Sequence, residues 1–125
     1  MATLETKLKA AERVGAILKA RRENQNMSQR DVAHLLGYRN INFISMIESG
    51  RSNPPLARLA DIAVAYGMDA EFVPTMLREI YPETWAIIKT LLAQYKDILT
   101  AKGPVALEKQ IDKSLAKYCK EYDIS

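Results

Sequence analysis

Apolar side chains in this chain recur at helical spacing almost throughout, while the alternation that marks a half-buried strand is weak everywhere. The pattern predicts seven helices. Leu8, Ala11, Val14, Leu18 and Arg22 form one stripe across a first helix from Thr6 to Asn24. Ser28 caps a second helix, Gln29 to Leu36, whose inner face is Val32, Ala33 and Leu36 and which Gly37 ends. Asn40 caps a third helix that runs to Ser49 and stops at Gly50. Asn53 is expected to cap the fourth, with Pro54 and Pro55 in its first turn, where a missing N–H costs little. Leu56, Leu59, Ala60, Ala63 and Tyr66 give its inner stripe and Gly67 its end. A fifth helix begins at Asp69 and turns Val73, Met76, Leu77 and Ile80 inward. Pro74 sits badly in a helix that starts there, so this helix starts later or kinks.

Beyond Tyr81-Pro82 the stripe lengthens. Trp85, Ile88, Leu92, Tyr95 and Leu99 step three and four residues apart along a sixth helix, widened by Leu91 and Ile98. Gly103-Pro104 breaks the chain. Leu107, Ile111, Leu115, Tyr118 and Tyr122 then share one face of a seventh helix. The expected class is all-α, with a five-helix domain over residues 1–82 and a helical hairpin over residues 83–125.

The third helix has two unlike faces. Ile44, Ile47 and Glu48 lie on one side, and Asn42, Ser45, Met46 and Ser49, at i, i+3, i+4 and i+7, lie on the other. The first side can pack on the second helix, where Ala33 allows close approach. The second side, mostly polar, is then free. Two short helices joined by a tight turn, the second presenting a polar face, have the layout that enters the major groove of DNA.

Ser28-Gln29 with Val32-Ala33, then Leu36-Gly37, Ile44, Ile47-Glu48-Ser49-Gly50-Arg51 and Asn53-Pro54 resemble the XRE/Cro-type helix-turn-helix family, which includes lambda-repressor-like domains. The resemblance extends from about Leu8 to Ile80. It implies a lambda-repressor-like five-helix DNA-binding domain, which the two amphipathic C-terminal helices read from the periodicity then follow. It also implies roles for the matching residues. Ile41, Asn42, Ser45 and Met46 fall where base edges are read. Gln29 falls where a phosphate is contacted and the recognition helix is braced, and Arg51 and Asn53 lie in a loop that meets the DNA backbone. Arg22 and Glu48 fall where an internal ion pair ties the first helix to the third. One departure stands out: the segment between Gly37 and Ile44 is one residue longer than the family pattern, with Arg39 as the extra residue at the tip of the turn.

Charge supports the same half of the chain. The net charge is only +3, but residues 1–67 hold ten Lys/Arg against six Asp/Glu, whereas residues 68–125 hold eight against nine. The predicted reading face lacks Lys and Arg, the side chains best suited to guanine. Asn42 can pair with adenine, and Ile41, Phe43 and Met46 can touch thymine methyls, although Phe43 leans toward the core. Phosphate contacts are therefore expected from Arg30, Arg39 and Arg51, with Arg21 and Arg58 as further candidates; Arg21 and Arg30 read equally well as solvated surface.

The other chemistry is sparse. The single histidine, His34, makes no metal site, and the single cysteine, Cys119, makes no internal disulfide, which fits a reducing, cytoplasmic location. No apolar run has the length of a membrane span and no secretory h-region opens the chain. With no nucleophile–base pair, metal cluster or phosphate-cradling glycine loop, no enzymatic activity, cofactor or metal is expected. Gly15, Gly37, Gly50, Gly67 and Gly103 read mostly as helix stops.

The expected function is a sequence-specific, double-stranded-DNA-binding transcriptional regulator, a bacterial or phage-type repressor acting as a homodimer. The alternative is an antitoxin or switch protein whose C-terminal helices bind another protein. For either purpose the interface is expected at Trp85, Ile88, Leu92, Tyr95, Leu99, Leu107, Ile111, Leu115 and Tyr118; the competing arrangement folds this stripe back onto its own domain.

Overall fold

A computed structural model describes residues 3–94 and 103–125. Among them are seven α-helices, a 3₁₀ turn and no strand. The helices are α1 (Leu4–Asn24), α2 (Gln29–Leu36), α3 (Asn42–Ser49), α4 (Leu59–Ala65), α5 (Phe72–Ile80), α6 (Pro82–Gln94) and α7 (Gly103–Glu121), and the 3₁₀ turn, Leu56–Arg58, leads into α4.

α1 is capped by Thr3, whose hydroxyl accepts from Thr6 N at 3.1 Å, and Arg21 and Arg22 stand in its last turn, where cations complement the helix dipole. Its buried face begins at Ala10 and Ala11; Leu8, read as part of the stripe, is 50% exposed because the first turns of α1 project past the core. α2 has the expected bounds. Ser28 Oγ accepts from Asp31 N at 3.0 Å while Asp31 Oδ2 accepts from Ser28 N at 2.8 Å, a reciprocal cap. Gly37, at φ 80°, closes the other end: its N–H bonds His34 O, and Tyr38 N bonds Ala33 O at 2.9 Å. Ile41 rather than Asn40 takes the N-cap position of α3 and makes no side-chain cap bond, but Asn40, one residue earlier, still serves the helix start, its Oδ1 accepting from Asn42 N at 3.0 Å.

The fourth helix begins later than expected. Asn53 does not cap it, and Leu56 and Ala60 are exposed. The cause is the proline pair. A residue that precedes proline is pushed out of the helical region, and Pro55 itself is extended at ψ 137°, so helical geometry begins only in the 3₁₀ turn. α5 likewise starts at Phe72 rather than Asp69, which places Pro74 in a first turn that needs no donor from it. Phe72 is fully buried.

The last two helices lie against the rest of the chain. Tyr118, 2% exposed, meets Phe72 edge to face with ring centroids 5.4 Å apart and donates from its hydroxyl to Asp69 Oδ2 at 2.8 Å. Arg78 of α5 reaches Asp112 at 2.6 Å and Glu108 at 3.1 Å on α7, and Trp85 Nε1 donates to Glu108 Oε1 at 2.6 Å. One buried cluster runs from Val14 through Ile44, Ile62 and Phe72 to Tyr118, so the expected division at residue 82 is not a break in the core. This corrects part of the expected interface. Trp85, Ile111 and Tyr118 are buried within their own chain, and Ile88, Leu92, Leu107 and Leu115 are half-buried. Intramolecular packing covers Trp85, Ile111 and Tyr118 and partly covers the four half-buried positions. Tyr95 and Leu99, like Ile98, lie outside the described residues.

Candidate nucleic-acid interface

α3 is held by its backbone as much as by its side chains. Gly15, in the middle of α1, is where the two helices cross: a Cβ there would stand 2.4 Å from Ile47 O and 2.6 Å from Glu48 O. Any side chain would separate the two backbones. Gly50 repeats the arrangement at the end of α3, where a Cβ would lie 2.8 Å from Glu12 Cα. At φ 80° Gly50 also lets Arg51 N bond Met46 O at 2.9 Å, which fixes the start of the loop that follows.

Beneath this crossing is a buried polar cluster centred on Glu48. Arg22 grips the carboxylate with two parallel bonds, Nε to Oε2 at 2.8 Å and Nη2 to Oε1 at 2.9 Å, and uses Nη1 to bind Met27 O at 2.9 Å. Tyr66 of the segment after α4 donates its hydroxyl to Oε2 at 2.7 Å, and Gln29 of α2 donates Nε2 to Oε1 at 3.2 Å. α1, α2, α3 and the end of α4 thus meet at one side chain. Burial pushes the Glu48 carboxyl up, but the donors from Arg22, Tyr66 and Gln29 outweigh it and leave it below its ordinary value. Burial, reinforced by the neighbouring Glu48, pushes the Tyr66 phenol strongly up, so it stays a donor. The carboxylate raises Arg22 in turn.

The geometry realises the expected Arg22–Glu48 pair and gives Gln29 a bracing contact. Ile44, Ile47 and Glu48 face inward. Asn42, Ser45, Met46 and Ser49 face outward, with Ile41 39% and Met46 41% exposed. Phe43 is half-buried against Tyr38, ring centroids 5.1 Å apart, and belongs to the core side. Arg30, Arg39, Arg51 and Asn53 are exposed, and among the described residues no ion pair engages the three arginines. Arg21 and Arg58, named as further phosphate candidates, are otherwise occupied. Arg21 clamps Gly67 O at 2.8 Å, and Arg58 pairs with Asp61 at 3.2 Å while its guanidinium carbon lies 5.2 Å from the centre of the Tyr38 ring.

Two members of this site were not anticipated as such. Tyr66 reads in the sequence as one more apolar position, and nothing there reveals where its hydroxyl points. Gly15 does leave a trace, because glycine inside a helix costs about 1 kcal/mol against alanine and so asks for a reason.

Residues 18–73 match the family model described as helix-turn-helix, a span inside the segment that carries the resemblance. The chain matches none of the curated proteins and none of the solved structures with which it was compared. The capped α2, the glycine-closed turn and the braced, outward-facing α3 all lie inside the matched span, so residues 18–73 form a helix-turn-helix segment that matches the XRE, lambda-repressor-like family model.

Proposed function

We propose that this protein is a sequence-specific transcriptional regulator, a repressor of the bacterial or phage type, that binds double-stranded DNA as a dimer through α3. The observation that carries this reading is the exposed row Ile41, Asn42, Ser45 and Met46 on a helix whose opposite side is pinned at Glu48 and Gly15. A reading helix must be rigid to discriminate bases, and this one is fixed from three other elements, α1, α2 and the end of α4. Gln29, Arg30, Arg39, Arg51 and Asn53 supply the contacts to the DNA backbone. An eight-residue reading helix reaches few base pairs, which favours two copies on two half-sites. No catalytic role, cofactor or metal enters this reading. Among the described residues no helix is long and apolar enough to cross a membrane.

The base contacts follow from side-chain chemistry. Asn42 offers the donor and acceptor that adenine matches, and Ile41 and Met46 offer apolar surface to thymine methyls. Asn42→Ala is expected to weaken binding at the matched site by about 1–3 kcal/mol and to relax one base position, measured by titration against the selected site and its single-base variants. Unchanged affinity and unchanged discrimination would remove Asn42 from the reading role.

A second reading is favoured by the outer edge of α6, where Ile87 is 63% exposed and Leu91 is also exposed. In it the chain is an antitoxin or partner-binding switch that holds another protein through its C-terminal helices while the domain over residues 18–73 binds DNA. A stoichiometric protein recovered with the chain from its native source distinguishes this reading from a plain homodimer.

A further inference from the structure

The turn between α2 and α3 is longer than the family pattern, yet it is built as a rigid arm. Tyr38 N is tied to Ala33 O at 2.9 Å, and the Tyr38 ring is flanked by Phe43 of α3 at 5.1 Å and by the Arg58 guanidinium at 5.2 Å. Arg58 is itself held by Asp61 at 3.2 Å. On the other side of Arg39, the Asn40 side chain caps Asn42 N. Both chain neighbours of Arg39 are therefore fixed while Arg39 projects, exposed, from between them.

Arg39 lines one cleft of about 250 Å³ together with Arg30 and His34 of α2 and with Tyr38, Asn40 and Ile41. The nearest carboxylate on α2, Asp31, is committed to Ser28 N. A cleft lined by two arginines, with no counter-charge engaged with either, suits a phosphate diester, an acceptor that arginine forks bind well. Ile41, at the N-terminal end of α3, lines the same cleft, so a phosphate held there lies beside the proposed reading face.

We propose that Arg30 and Arg39 hold one and the same phosphate of the DNA backbone in this cleft, and that Tyr38, clamped between Phe43 and Arg58, is the positioning residue that aims Arg39 at it. The extra residue of the turn then adds a backbone contact that sets the register of α3 along the groove. This rests on the proposed DNA-binding reading and adds to it a shared phosphate and a device for placing it.

The test is the salt dependence of binding to a labelled mixed-sequence duplex about two helical turns long, since each phosphate contact contributes roughly 0.9 to the slope of log affinity against log salt. Because the two arginines share a phosphate, the Arg30→Ala/Arg39→Ala double variant loses about one unit of slope in total. In the Arg30→Ala background, where Arg39 alone holds the phosphate, Tyr38→Ala removes the contribution of Arg39 and lowers the slope by about 0.9, so that adding Arg39→Ala changes nothing further, whereas Tyr38→Phe retains it. Thermal melts of each variant, with helix content by circular dichroism, confirm that the fold persists. A total loss of about two units, or none, overturns the shared phosphate. Tyr38→Ala with the Arg39 contribution intact overturns the positioning role. Binding by the unaltered protein that ignores salt overturns the DNA-binding reading itself, and this inference with it.

Discussion

Glu48→Ala is expected to remove about 3–5 kcal/mol of folding stability, the scale on which a buried ion pair resists loss of one partner. The side chain of Glu48 is 2% exposed and that of Arg22 is 9% exposed, so truncating the carboxylate strands a buried guanidinium without a counter-ion. Tyr66 and Gln29 lose their acceptor as well. Urea unfolding at neutral pH measures the difference; a loss below about 1 kcal/mol would mean that the network is worth no more than a surface pair. The same group gives a pH signature. The Glu48 carboxyl lies below its ordinary 4.5 in the folded protein, so its contribution is complete above that value and is lost as pH falls from 4.5 through the folded value. Stability should therefore fall more steeply with acid in the unaltered protein than in Glu48→Gln, and only in that window. Parallel curves for the two proteins below pH 4.5 would place the carboxyl in an unperturbed environment.

Gly15→Ala carries the second large effect, and here two forces oppose each other. Alanine is the better helix former by about 1 kcal/mol, so propensity alone predicts a more stable protein. Against it stands a Cβ placed 2.4 Å from Ile47 O, with Glu48 O and Glu48 C also under 3.0 Å. These are backbone atoms of a helix and have no rotamer to yield. Overpacking of this kind costs about 1–3 kcal/mol, and contact with backbone argues for the upper end. The net expectation is a lower melting temperature, together with weaker DNA binding because α3 is displaced from α1. A melting temperature equal to or above that of the unaltered protein would show that the two helices are not in van der Waals contact at Gly15.

Much of this fold is legible from single residues. Ser28 and Gly37 bound α2 because a side-chain oxygen before a helix and a glycine after it satisfy backbone groups that have no other partner. Asn53 misleads for a local reason: it has the chemistry of a cap, but Pro54-Pro55 holds the chain extended behind it. Leu8 and Ala60 show the limit of periodicity, which marks a face but not how far along the helix a neighbour covers it. Ile111 and Tyr118 show the same limit between elements. Their spacing says that something must bury them, and only the structure says that their helix packs on the chain's own α5, with Tyr118 against Phe72. In the site, the Arg22–Glu48 pair and the exposed row on α3 were readable from a resemblance in register. The crossing at Gly15, the Tyr66 hydroxyl and the Tyr38 clamp were not, because each depends on contacts between residues far apart in the chain.

The reading face and the braces behind it converge on one claim, that α3 of this protein reads DNA sequence. Selection of bound duplexes from a fully random library by the 125-residue chain tests it most directly. The account predicts an enriched site with A·T pairs under each α3, arranged as two inverted half-sites about 10 base pairs apart from centre to centre. A library that yields no enriched sequence, or a half-site core made only of G·C pairs, would contradict it.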